Sequence, residues 1–128
     1  MSRHLYPTLA EAIEIHRQLI DEFGGIHGLH DRGRIEAAIF RPQLGYYDSL
    51  LDEAAALMES LANNHAFLDG NKRLSFALTD TFLRMNGHFL AVDPIAGRDF
   101  IEQALARGAF RFRMIRDWIE HSLRDIDQ

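Results

Sequence analysis

Residues 51–85 read LDEAAALMESLANNHAFLDGNKRLSFALTDTFLRM, and they decide the fold: two apolar stripes of helical period flank a short polar loop. Leu51, Ala54, Ala55, Met58, Leu61, Ala62 and His65 fall at i, i+3, i+4, i+7, i+10, i+11 and i+14, the spacing of one helix face. That spacing puts His65 at the end of a core-facing stripe. Leu74, Ala77, Leu78, Thr81, Phe82 and Met85 form the second stripe, with Phe76 and Leu83 adding apolar surface on another side. A central helix buried on more than one face is predicted, ended by Gly87, since glycine readily takes the left-handed conformation that closes a helix.

Working outward, Thr8-Leu9-Ala10-Glu11 is a capping box and predicts a first helix. Leu9, Ala12, Ile13, His16, Leu19, Ile20 and Phe23 repeat with helical spacing up to Gly24-Gly25. Ile26-His27-Gly28-Leu29-His30 then reads as a loop, and Asp31 caps a second helix through Ile35, Ala38 and Ile39 that Pro42 stops. Residues 42–48 have no helical period, and their aromatic pair and glycine suit an extended flap. Asp93-Pro94 opens a helix that runs toward Leu105 and closes at Gly108. A last helix turns Phe110, Met114, Ile115, Trp118 and Ile119 inward. No segment alternates with period 2, so the class is all-α, as one domain over residues 1–128.

Composition bounds the chemistry. A chain of 128 residues, 47% hydrophobic and 26% charged, is large enough to bury one core. It has no cysteine, which excludes disulfides, thiolate metal sites and a cysteine nucleophile. A net charge of −5 argues against nucleic acid as a partner, although local cations can still hold a small polyanion. Residues 1–7 carry no apolar leader and no run approaches membrane length; the expectation is a cytoplasmic protein without a membrane partner.

Between the stripes, His65-Ala66-Phe67-Leu68-Asp69-Gly70-Asn71-Lys72-Arg73 brings together a base, a carboxylate, a turn glycine, an amide and two cations. Amides at a helix start lack intrahelical partners, so Asn71, Lys72 and Arg73 present N–H donors to an anion. Gly70 lets the backbone approach a ligand closely, Lys72 and Arg73 add full charges, and the Asn71 side chain is a further donor. Asp69 is a hard oxygen ligand of the kind Mg²⁺ takes alongside substrate phosphates. An imidazole, titrating near about 6.5 in water, can accept a proton from a hydroxyl; Phe67 anchors the loop in the core. Together these features imply transfer of a phosphorus centre to a hydroxyl.

The nine residues resemble the signature of the Fic/Doc family, H-x-F-x-[D/E]-G-N-G-R-x-x-R, in the N-K-R form of death-on-curing (Doc) toxins. The resemblance implies a compact helical bundle of about six helices with a short extended flap. It further implies His65 as general base for a protein hydroxyl, Asp69 as Mg²⁺ ligand, Gly70, Asn71, Lys72 and Arg73 as the nucleotide-phosphate site, and ATP as co-substrate. Arg41, Pro42, Gln43, Leu44, Gly45, Tyr46 and Tyr47 would be the flap that docks the target. The partners implied are an antitoxin protein and a protein target with a Ser/Thr hydroxyl, elongation factor Tu among translation factors.

Lys72 stands where the Fic pattern has glycine, and Phe76 where it has its second arginine. In the family the Doc-type motif goes with phosphate transfer from ATP and the standard motif with AMP transfer, so a Ser/Thr phosphotransferase is favoured over an adenylyltransferase. Ser49-Leu50-Leu51-Asp52-Glu53 matches the spacing of the family's inhibitory motif but is followed by Ala54 and lies inside an amphipathic helix, which reads as coincidence. The rival class is a non-catalytic nucleotide- or partner-binding module, which would need neither His65 nor Asp69. His27 to Asp31 could supply zinc ligands but reads as a solvated loop, and Phe110-Arg111-Phe112-Arg113 reads as part of a packed helix rather than a nucleic-acid surface.

Overall fold

The computed structural model describes residues 4–127; residues 1–3 of the stretch read above as leaderless lie outside it. Among the described residues the chain forms α1 (Leu9–Phe23), α2 (Arg32–Phe40), a 3-10 turn (Arg41–Gln43), α3 (Leu50–Asn63), α4 (Asn71–Met85), β1 (His88–Leu90), α5 (Pro94–Ala106), α6 (Phe112–Ser122) and β2 (Leu123–Asp125). Three N-caps are those the sequence predicts, whereas Ser49, read as lying inside the third helix, caps it by accepting from Asp52 N–H. Thr8 accepts from Glu11 N–H while Glu11 accepts from Thr8 N–H, Asp31 caps α2, and Asp93 accepts from Ile95 and Ala96 at the start of α5.

α3 and α4 form the centre. Ala54, Ala55 and Ala56 are fully buried, and these small side chains let both α4 and α6 pack against α3. Leu57, Met58, Leu74, Leu78, Phe82 and Leu83 fill the space between, and Ser75 Oγ donates to Met58 O at 2.9 Å, which ties the two helices together within the core. α5 packs on α4 at Gly97, where a Cβ would stand 2.4 Å from ring atoms of Phe76. Only glycine allows this approach.

Two expectations need correction. α3 stops at Asn63, so His65 is not the end of a core-facing stripe: it is exposed, with φ 53°. Asn64 Nδ2 donates to Arg34 O at 2.8 Å and Arg34 Nη1 donates to Asn64 O at 3.1 Å, a reciprocal pair that draws the chain off the helix axis. Pro42 does end α2, which stops at Phe40 with Arg41 as its C-cap, and is itself buried in the 3-10 segment that follows, since a proline fits the first positions of a helical turn. Residues 41–47 are accordingly not an extended flap throughout. Arg41 Nη1 donates to Ala56 O, Glu59 Oε1 and Ser60 Oγ, and its Nε to Tyr47 OH, which fastens the segment onto α3.

The helical bundle also carries a two-stranded antiparallel sheet, His88↔Asp125, Phe89↔Arg124 and Leu90↔Leu123. Strands of three residues are too short to display a period.

Candidate active site

The loop between α3 and α4 is held by its own side chains. Asn71 Oδ1 accepts from Phe67 N–H at 3.1 Å, and Asn71 Nδ2 donates to Phe67 O at 2.8 Å. The Asn71 side chain thus pins the loop through its oxygen and one of its two N–H donors. Phe67 is buried and its ring stacks on His16 of α1, with centroids 3.7 Å apart. Gly70, at φ 79°, turns the chain into α4, and a Cβ there would stand 3.0 Å from Ile20 Cδ1. The first intrahelical bond of α4 is Leu74 N–H to Gly70 O. Asn71, Lys72 and Arg73 N–H precede it, the anion-binding arrangement of a helix start.

His65, Asp69, Gly70, Asn71, Lys72 and Arg73 line one cleft of about 730 Å³, with Phe23, Asn63, Arg98 and Glu102 among its other walls. The Arg73 guanidinium lies 4.1 Å from the centroid of the Phe23 ring, a cation–π contact between two residues that line the cleft. Lys72 Nζ is 4.0 Å from Glu102 Oε1. The Asp69 carboxylate is exposed, and each oxygen accepts one backbone N–H: Oδ1 from Gly70 at 2.8 Å and Oδ2 from Ile26 at 3.1 Å. An ionised carboxylate has lone pairs to spare after two such bonds. One exposed carboxylate beside the free amides of a helix start suits Mg²⁺, which takes few protein ligands and completes its shell with phosphates and water.

Residues 41–47 do not line this cleft. Arg41 and Leu44 line a separate groove on the other side of Asn63, with Glu59, Ser60 and Arg111. The segment that runs beside the motif loop is instead 25–31. Leu29 pairs with Phe67, His30 and Asp31 N–H both donate to Ala66 O, and Leu68 N–H donates to Gly28 O. Gly25 is required there, because at φ 122° its Cβ would lie 2.7 Å from Asp69 Oδ2. His27 in this segment pairs with Asp21 at 2.8 Å. Glu53 does not border the cleft either: it is buried, accepts from Tyr6 OH at 3.0 Å and pairs with His4 Nδ1 at 2.8 Å.

Sequence reasoning missed His16. Buried among the apolar residues of α1, its Nε2–H donates to Asp69 O at 2.7 Å, which fixes the neutral tautomer because a carbonyl only accepts. Burial holds its pKa below the ordinary histidine value, against the opposing hydrogen bond to Asp69. The signal was a polar residue inside an apolar stripe, since a buried polar group has a partner somewhere.

The structure is a helical bundle that presents an exposed histidine, a carboxylate and the free amides of a helix start on one inter-helix loop. The Fic/DOC family matches residues 6–83, and the chain belongs to it. It is 49% identical over 76 residues to Toxin Doc of Mycolicibacterium smegmatis, covering 56% of this chain and 58% of that protein. It is also 37% identical over 89 residues to Protein kinase doc of Escherichia phage P1, covering 66% and 69%. The match to the first of these spans less than two thirds of the relative.

Proposed function

We propose that the protein is a Doc-type toxin that transfers the γ-phosphate of ATP to a Ser or Thr hydroxyl of a protein, under the control of an antitoxin. The observation that carries this reading is the shared cleft of His65 and the α4 start, where an exposed base faces three backbone donors and the charges of Lys72 and Arg73. The relative named as a protein kinase supports phosphate over AMP as the group moved. His65 accepts the hydroxyl proton, the oxygen bonds to the γ-phosphorus, and the bond to the β-phosphate oxygen breaks, so that ADP leaves with the electron pair. The N–H groups of Asn71, Lys72 and Arg73 and the two cationic side chains stabilise the charge that spreads over the phosphate oxygens. Asp69 would hold Mg²⁺, which when bound neutralises phosphate charge. The target hydroxyl approaches His65, which is exposed at the cleft beside the loop that 25–31 borders; elongation factor Tu is the first target to test.

Purified protein is incubated with bacterial lysate and with either α- or γ-labelled ATP. The target should gain γ-label and release ADP, and His65→Ala should lose transfer while still binding ATP. Label arriving only from the α position, with pyrophosphate released, would establish AMP transfer instead. Transfer at the wild-type rate by His65→Ala would remove it as the base.

A further inference from the structure

α5 is a wall of the cleft that lies beyond the family match, which ends at residue 83. Its seat is set by Gly97 against Phe76, where no side chain larger than hydrogen fits. The two helices run antiparallel at this contact: Gly97 meets Phe76, while Glu102, further along α5, reaches Lys72 at the start of α4. Arg98, next to Gly97, and Glu102, one turn on, both line the cleft. Glu102 divides its carboxylate between two cations. Oε2 accepts from Arg98 Nη1 at 3.1 Å and Oε1 lies 4.0 Å from Lys72 Nζ, while Arg98 Nη1 also meets Asp99 Oδ1 at 3.2 Å.

A carboxylate set between an ammonium and a guanidinium marks a place that favours negative charge, and a phosphate chain carries more charge and more acceptor oxygens than the carboxylate it would replace. Half-exposed ion pairs of this kind are weak, so exchanging Glu102 for a ligand costs little. Arg73 stacks on Phe23 of α1, whereas Arg98 stands on α5. The cations therefore reach the cleft from different helices.

We propose that Arg98 is a phosphate-binding residue that takes the phosphate chain of a nucleoside triphosphate together with Lys72, and that Glu102 is the internal anion this chain displaces. The proposal rests on the cleft being a nucleotide site and adds a wall to it. It requires opposite effects from two neighbouring charges: loss of Arg98 loosens the ligand, loss of the Glu102 charge tightens it.

Calorimetric titration of the full chain with MgATP, and separately with inorganic tripolyphosphate, tests both. Arg98→Gln should weaken both ligands by about tenfold, the scale of one charge-assisted hydrogen bond, and Arg98→Lys should recover part of the loss. Glu102→Gln should tighten both by about threefold, the scale of one weak, half-exposed ion pair. Thermal melts of each variant separate loss of ligand from loss of fold. Equal binding by wild type and Arg98→Gln, or weaker binding by a folded Glu102→Gln, overturns the proposal. A folded wild-type protein that binds neither ligand overturns the nucleotide reading itself, a different result.

Discussion

At the residue scale, the site depends on a side chain that does not line it. His16 holds the Asp69 carbonyl through Nε2–H and the Phe67 ring by stacking, so one buried imidazole fixes both ends of the segment that carries the carboxylate. His16→Phe keeps an aromatic surface against Phe67 but leaves the Asp69 carbonyl without its donor, a loss of about 1 kcal/mol. Under the phosphotransferase reading, transfer should slow by about tenfold or more through misplacement of the helix start, with the fold retained by circular dichroism. The variant should also change the response to acid. Burial lowers the His16 pKa, so below the ordinary histidine value of about 6.5 the folded protein binds fewer protons than the unfolded chain. His16 thus contributes its full stability above that pH and loses it as pH falls toward the depressed value. Melting temperatures measured from neutral to mildly acidic pH should fall less steeply for His16→Phe. Parallel curves would show that His16 is not the titrating group.

At the element scale, the placement of α5 rests on a missing side chain. A methyl at Gly97 would stand 2.4 Å from Phe76 ring atoms, and overpacking of this kind costs about 1–3 kcal/mol. Alanine also gains about 1 kcal/mol of helix propensity over glycine; the clash exceeds the gain. Gly97→Ala should lower stability by about 1 kcal/mol in urea denaturation, and Phe76→Leu in the same chain should recover part of it by freeing the space. A more stable Gly97→Ala would mean that α5 sits further from α4. The same contact explains Phe76 itself: the residue is 4% exposed and edge-on to Trp118. In this chain position 76 belongs to the core and contributes nothing to the phosphate nest.

At the scale of the whole molecule, the chain carries a net charge of −5 yet gathers Lys72, Arg73 and Arg98 around one cleft, a local field set by geometry rather than by composition. Under the toxin reading, induction of this chain alone should arrest bacterial growth, and co-expression of its antitoxin should restore it. Harmless accumulation of folded, ATP-binding protein would favour a binding module. The sequence by itself determined the helices, their caps and the contents of the motif loop, because apolar period, capping chemistry and helix-start amides are local properties. Thr8, Asp31 and Asp93 could be read off without a structure for that reason. Only the tertiary structure decided which groups are free to act. The Asn71 side chain is tied to Phe67, and Arg41 to α3, while His65 leaves the helix because Asn64 pairs with Arg34 across 30 residues. His16, the 25–31 segment and the α5 wall meet the motif only after α1, α2 and α5 have packed on the central pair, and no local pattern encodes contacts made between elements far apart in the chain.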